Sequence, residues 1–492
     1  MIDKRVGGTR LLFGYLGLFI IIIGAICLLP LCVLAFYPEE VEYAKTFIIT
    51  AIVSIFIGYL LYFLIRNKER QGLANHQDAQ LLLLVWIVAI IIGSMPFAIS
   101  GQVDIISALF ESTSGFTTSG ITVMVPENLP HIFLFYRSLL LFFGGIGLVL
   151  VLASAISDKY GMRLYSAEGH SDKLVPNLMR SARLILSIYI VYIFLGAVLY
   201  IAFGMNTFDA INYAISSLST GGFSTHSEDI KYFDSLGIEI VTIILMILGA
   251  TNFMVHMFLL KGKFKELNKH TEFKFSVLII VVATAIMTLS IMSQIGFFPA
   301  LRESVFSVVS LVTTTCYSSE FISIYPSGMM ILFIFLVFIG GELGSTGGGL
   351  KRYRVALLFK SLWWNMQSKY EDKRLVKSHF MYRAGKKVII GSEEVNENNA
   401  FITWFLLVYL LGVVLLCIDG MTFDNASVEF AGIITGAGIS NGLITANSGP
   451  LTLITSVFGM LIGRLEVVLV VMLIVKRLTN IKRRIVSRNG NR

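Results

Sequence analysis

The sequence predicts an all-α polytopic membrane protein: two N-terminal transmembrane helices, then four repeats of helix, re-entrant loop and helix. Three observations predict it. Of 492 residues, 55% are hydrophobic and only 14% charged, where soluble domains carry about 25% charged residues. Ten apolar runs approach the roughly 20 residues needed to cross about 30 Å of hydrocarbon. Four short segments rich in Ser, Thr and Gly recur between those runs.

In chain order the runs fall at 11–35, 47–65, 81–98, 132–156, 184–203, 238–260, 275–292, 329–341, 401–418 and 451–475. The first is too long, and too poor in small residues at its end, to be a cleaved signal, so it is read as a retained helix. The run at 329 is interrupted by glycines and resumes near Val355. The runs divide the chain into an N-terminal pair over 1–75 and four units over 76–160, 161–265, 266–390 and 391–492, the last with a basic tail.

Charge orients the runs. Nearly all of the 39 Lys and Arg lie near the N-terminus or in the stretches 66–70, 159–183, 261–274, 351–387 and 476–492. A ten-span arrangement puts all of these on one side, leaving Lys45, Lys231 and Arg302 on the other. Cationic loops stay in the cytoplasm. The expectation is therefore a multi-pass protein of the cell (inner) membrane with both termini cytoplasmic. The net charge of +8 reports this topology and not nucleic-acid binding, which would need interleaved aromatics and a motif context. Cys27, Cys32 and Cys417 lie in apolar runs, where a thiol behaves as a small hydrophobe. No CxxC, metal-ligand spacing or nucleophile–base set is visible, so no enzyme, bound cofactor or structural metal is expected.

Internal repeats carry the functional reading. Written to a common end, the four segments are 107–120 (SALFESTSGFTTSG), 209–222 (DAINYAISSLSTGG), 303–316 (ESVFSVVSLVTTTC) and 425–438 (NASVEFAGIITGAG). Each has the length of a half-crossing helix followed by a short Ser/Thr/Gly strand. Non-helical backbone at membrane depth is allowed only where protein or water covers it. Gathering the four round one axis satisfies that rule and points carbonyl oxygens inward, where a ring of them replaces the water shell of a monovalent cation. Each half-helix also aims its negative end at the axis. Ser, Thr and Gly equally line ordinary helix contacts in membranes; four segments in register favour the pathway.

The third unit holds FIGGELGSTGGGLKRYR at 338–354. Consecutive glycines inside a span each cost about 1 kcal/mol relative to alanine. The segment Gly344, Ser345, Thr346, Gly347, Gly348 and Gly349 is read as a movable gating loop, with a static kinked helix as the alternative. Lys351, Arg352 and Arg354 would then mark the cytoplasmic exit. The phosphate-loop pattern is not met, because Leu350 precedes Lys351. Arg464 lies within the last span, and a membrane-depth charge is a functional hypothesis by default. It is expected to set an electrostatic barrier below the turns, with Glu466 and Glu342 as possible partners. Arg137 is expected to snorkel outward. Glu111 is either a fixed charge behind the pathway or a hydrogen-bonded structural carboxylate. Asn252 and His256 are expected to glue helices together.

The chain resembles the TrkH/KtrB/HKT superfamily of potassium transporters, the TrkH type most closely. The resemblance covers essentially the whole chain and rests on 113–123 (TSGFTTSGITV), 216–227 (SSLSTGGFSTHS), 340–351 (GGELGSTGGGLK), 144–147 (GGIG) and Arg464. It implies four M1–P–M2 repeats in pseudo-fourfold arrangement, potassium as the transported ion, a gating loop at 344–349, homodimers in the bilayer, and a cytoplasmic nucleotide-binding regulatory ring (TrkA-like). Filter positions carry over to Gly120, Gly222, Cys316 and Gly438. The candidate ion-binding residues are thus Thr118, Ser119 and Gly120; Thr220, Gly221 and Gly222; Thr314, Thr315 and Cys316; and Gly436, Ala437 and Gly438. Two departures stand out. Cys316 occupies a position that is usually glycine, and its β-carbon restricts the backbone. The fourth segment continues GISNG, which leaves Gly442 as an alternative to Gly438. The rival reading is a secondary transporter of another monovalent cation, coupled to proton or sodium symport. It would show twofold repeats and midplane carboxylates, and few of the latter are expected.

Overall fold

Helices fill most of the structure because the lipid phase forces backbone groups to bond within one segment. The computed structural model describes residues 5–6, 8–66, 69–70, 77–146, 178–317, 324–370, 378–383 and 386–467. The ends of the runs expected at 132–156 and 451–475 (147–156 and 468–475), most of the basic stretch 159–183, and the basic tail lie outside the described residues.

Among the described residues six helices are long and apolar enough to cross a membrane: Gly8–Ala35, Pro38–Tyr62, Ala79–Ser100, Ser181–Ala202, Thr271–Ile295 and Ser392–Ile418. Three shorter apolar helices, His131–Ile146, Ser327–Ile339 and Pro450–Arg464, stand where further runs were expected. The run at 238–260 departs from expectation. It forms two helices, Leu236–Gly249 and Phe253–Leu260, bent by 112°. A short antiparallel hairpin, His379–Arg383 with Lys386–Ile390, lies in the basic segment before the fourth unit.

The N-terminal helices pack along each other through glycine. A β-carbon on Gly58 would stand 2.7 Å from the Gly17 carbonyl oxygen, so only small residues allow this approach. Buried Glu40 then joins the pair to the first repeat. Its carboxylate accepts from the backbone N–H of His131 and Ile132 at 2.7 and 2.8 Å, occupying the positive end of that helix.

Between the spans sit four half-helices: Ile105–Thr117, Thr207–Leu218, Phe297–Val312 and Phe423–Thr435. At 1.5 Å per residue they reach about 18–24 Å, short of the ~30 Å core. Asp104 and Asn206 cap the first two, accepting from Ile106 and Asp209 N–H at 3.0 and 2.8 Å. Their C-terminal ends are buried under the following helix. A β-carbon on Gly144 would collide with the carbonyl oxygen of Phe116, one on Gly249 with that of Leu218, and one on Gly463 with that of Ile434. In the third repeat the equivalent carbonyl, Val312, instead accepts from Arg352 at 3.2 Å. The same backbone approach therefore recurs where the sequence places glycine in the second helix.

This approach predicts a selective intolerance. Gly144→Ala should lose about 1–3 kcal/mol through overpacking. Gly391→Ala, whose β-carbon meets open space, should be neutral. Thermal unfolding of the detergent-purified proteins reads the difference.

Candidate functional site

Each half-helix ends in a turn with the same local conformation. Positive φ values occur two residues apart: Thr118 and Gly120 (57° and 74°), Thr220 and Gly222 (52° and 76°), Thr314 and Cys316 (63° and 50°), Gly436 and Gly438 (61° and 66°). The residue between them donates its N–H back into its own half-helix. Ser119 donates to Ser114, Gly221 to Ser216, Thr315 to Ser310 and Ala437 to Gly432, at 2.9–3.0 Å. With its amide committed, the turn keeps its carbonyl oxygens for the other side. Alternating left-handed and ordinary dihedrals hold that orientation; left-handed threonines and Cys316 hold it at a cost of about 1–2 kcal/mol each.

The turns touch one another. A β-carbon on Gly120 would meet the carbonyl oxygen of Gly221, one on Gly222 that of Thr315, and one on Gly438 that of Ser119. Only glycine leaves room at these three places. On one side of the turns lies a cavity of about 260 Å³ bordered by Gly120, Gly222, Cys316 and Gly438. Gly442 also borders it, with positive φ but with open space at its α-carbon.

Carboxylates in the half-helices brace the chain as it leaves the turns. Glu111, fully buried, accepts from the Thr122 hydroxyl at 2.9 Å and the Val123 N–H at 3.3 Å. Glu429, at the same place in the fourth segment, accepts from the Ser440 hydroxyl at 3.0 Å and the Asn441 N–H at 2.8 Å. Asp209 does this for the second, accepting from Thr225 at 2.7 Å and facing His226 at 3.1 Å. All three are structural hydrogen-bond acceptors. Arg137 departs from expectation. It does not snorkel but is buried, with its Nε 2.7 Å from Glu111. It donates to the Ser224 carbonyl at 3.3 Å and lies 4.1 Å over the Phe223 ring, so it ties the first repeat to the second.

On the other side of the turns lies the glycine-rich loop, between the helices Met330–Ile339 and Arg352–Ser368. Its backbone completes the broken helix beside it. Glu342 N–H donates to the Ala250 carbonyl at 2.9 Å, Thr346 N–H to Gly249 at 3.2 Å, and Phe253 N–H to Gly344 at 3.2 Å. Asn252 caps Phe253–Leu260 through Met254 N–H and donates to the Leu343 carbonyl. The loop also reaches the third and fourth turns. Gly348 N–H donates to the Thr314 hydroxyl at 2.8 Å and Gly349 N–H to the Thr435 carbonyl at 2.8 Å.

Arg464 joins the loop to the first repeat. Its guanidinium donates to the Thr346 carbonyl at 3.1 Å, the Thr118 hydroxyl at 3.4 Å and the Gly144 carbonyl. The carboxylates expected beside it have other contacts. Glu466 pairs with Arg354 at 2.9 Å, and Glu342 lies 3.7 Å from His270 and 3.9 Å from Arg352. Arg352 does not mark an exit. It is buried, and it donates to the Gly340 and Val312 carbonyls and the Ser276 hydroxyl. A cavity of about 40 Å³ remains between loop, turns and Arg464, room for about three waters.

His270, Glu272 and Glu342 form a buried cluster beneath the loop that the sequence reading missed. Glu272 accepts from the Leu343 N–H at 2.9 Å and lies 3.3 Å from His270. Nothing in the linear sequence joins residues 270 and 342. Glu429 had a signal: it aligns with Glu111 when the four segments are written to a common end.

A bundle of spanning helices that gathers re-entrant turns between two internal cavities defines a membrane transport protein. The family model described as TrkH, cation transport protein, matches residues 43–482, and the chain belongs to that family. The Trk system potassium uptake protein TrkH of Escherichia coli (strain K12) is 31% identical over 473 residues, covering 92% of this chain and 95% of that protein. The Trk system potassium uptake protein TrkG of the same strain is 32% identical over 469 residues, covering 90% and 93%. The crystal structure of the potassium transporter TrkH from Vibrio parahaemolyticus superposes with a TM-score of 0.84 at 28% identity, covering 94% of this chain and 98% of that one.

The charged pairs make stability predictions. Arg137→Ala leaves Glu111 buried without its cation and should cost about 3–5 kcal/mol. Arg302→Ala, at an exposed pair with Glu239, should cost below about 1 kcal/mol. Denaturation midpoints in detergent compare them. At His270, burial alone would lower the pKa, but Glu272 and Glu342 outweigh it and raise it from 6.5 to about 10. A raised pKa stabilises fully below 6.5, and the effect is lost as pH rises through about 10. The stability gap between the parent and His270→Gln should therefore be widest near pH 6 and narrow toward about pH 10 in thermal unfolding.

Proposed function

We propose that this chain carries potassium ions into the cell along an axis through the four turns. The observation that carries the reading is the shared turn conformation: committed amides, alternate positive φ, and neighbouring turns in backbone contact. Such a ring offers carbonyl oxygens in place of a cation's hydration shell. Three relatives named for potassium, each matching across most of the chain, support the choice of ion.

In this reading Thr118–Gly120, Thr220–Gly222, Thr314–Cys316 and Gly436–Gly438 line the filter. Gly438 is preferred to Gly442 because it lies against Ser119 while Gly442 faces open space. The ~260 Å³ cavity is the outer vestibule and the ~40 Å³ cavity the inner one. The loop at 344–349 and Arg464 form the gate between the inner cavity and the cytoplasm. Arg464 places a positive charge below the turns, and the loop's hydrogen bonds to Gly249, Thr314 and Thr435 hold it closed. The chain then sits in the cell (inner) membrane with cytoplasmic termini, as a homodimer whose basic face docks a nucleotide-binding ring. The four repeats are arranged in pseudo-fourfold fashion. Cys316 is the one filter-end residue with a β-carbon, and it favours a second reading in which sodium also passes.

Expression in cells lacking potassium uptake tests the reading. The parent should restore growth at limiting potassium, and Gly222→Ser, which crowds the Thr315 carbonyl, should abolish the rescue. Failure of membrane-inserted parent to rescue would sink the proposal. Arg464→Ala should raise rubidium influx several-fold by removing both barrier and latch; unchanged influx would reduce Arg464 to a structural brace.

A further inference from the structure

Away from the turns, a cavity of about 390 Å³ opens between the start of Thr271–Ile295, the helix Arg352–Ser368 and the hairpin strand His379–Arg383. That volume lies within the roughly 300–1,000 Å³ of small-ligand sites. Lys269, Lys274 and Lys360 line it, and no carboxylate does. None of the three lysines is in an ion pair among the described residues. The wall is fixed: Tyr382 donates its N–H to the Thr271 hydroxyl at 3.0 Å, which pins the hairpin to the helix.

The apolar part of the cavity does not end at its rim. Leu278 lines it and is 60% exposed; Val281 and Val282 continue the same helical face at 61% and 48% exposure. Positions i, i+3 and i+4 form one stripe, and here it runs from the lysines into the membrane-crossing part of Thr271–Ile295. Phe275 and Phe359 line the cavity as well. Three cations at a membrane boundary above a lipid-facing stripe match one chemistry: a phosphodiester carrying acyl chains. Basic pockets between membrane helices on the cytoplasmic side hold such groups. A free phosphate would use the lysines but gain nothing from Leu278.

We propose that this groove binds the phosphodiester headgroup of an anionic phospholipid, with an acyl chain along Leu278, Val281 and Val282. The site is remote from the ion axis, so it stands or falls separately from the transport reading. It also places an occupant against the helix whose start carries Glu272 and, just before it, His270, beneath the glycine-rich loop.

The test uses the full chain, purified in detergent without other proteins and exposed to equal phosphatidylglycerol and phosphatidylcholine of matched acyl chains. Native mass spectrometry counts the retained lipid. The parent should keep phosphatidylglycerol in preference. The K269Q/K274Q/K360Q variant should lose about a hundredfold of that preference. If the triple variant does not fold, Lys360→Gln alone should lose about fivefold. Equal retention of the two lipids by the parent, or a preference unchanged in the variants, overturns the proposal. Inorganic phosphate is added as a competitor in a separate arm. It should not displace the lipid at millimolar concentration, and Leu278→Ala should weaken lipid retention. Full displacement by phosphate with no effect of Leu278→Ala would assign the groove to a free anion and overturn the lipid.

Discussion

Backbone amides and carbonyls left bare at membrane depth cost several kcal/mol each, and the centre of this protein breaks its helices in several places. The interaction that makes this possible is the reciprocal pairing of two breaks. The glycine-rich loop interrupts one helix, the Ala250–Asn252 corner interrupts another, and each supplies the hydrogen bonds the other lost. Glu342–Ala250, Thr346–Gly249 and Phe253–Gly344 are all backbone pairs, so they depend on close approach and not on side-chain identity. Glycine permits the approach, and Asn252 and Arg352 secure its edges.

The rest of the centre hangs on that pairing. Once seated, the loop offers Gly348 and Gly349 to the third and fourth repeats and Thr346 to Arg464. Arg464 in turn reaches the first repeat at Thr118 and Gly144. One loop therefore touches every repeat directly or through a single guanidinium. Displacing it would break bonds to the second, third and fourth repeats and to Arg464 at once. Arg352, buried at the root of the loop, fixes where it ends through the Gly340 and Val312 carbonyls.

Charge behind the turns is distributed unevenly although the backbone is repeated. Glu111 and Glu429 stand at the same register and brace the same two positions beyond the turn, but only Glu111 has Arg137. The second repeat moves its carboxylate one helical turn earlier, to Asp209, and pairs it with Thr225 and His226. A common backbone is thus held by different side-chain chemistry in the first and second repeats. A repeat that needs only a brace can accept any buried acceptor at the right depth.

The half-helices, their fourfold register and the glycine-rich break were legible in the sequence, because each rests on local composition. Apolar run length set the spans, and Ser/Thr/Gly endings marked the turns. Glycines at 144, 249 and 463 were visible but not their purpose, since the carbonyls they admit come from other segments. The broken helix at 250–252 was illegible. Its sequence is as apolar as an unbroken span, and the break exists only because the loop ninety residues later can satisfy it. For the same reason Arg137 read as a surface anchor and Arg352 as an exit marker: a charge's hydropathy is the same whether it faces lipid headgroups or a buried carboxylate. The sequence alone determined where the chain must lie in lipid and where it cannot stay helical, since both follow from local hydrogen bonding and transfer energy. Only the tertiary structure decided which broken segments satisfy one another and which charges pair, because those bonds join residues tens to hundreds of positions apart.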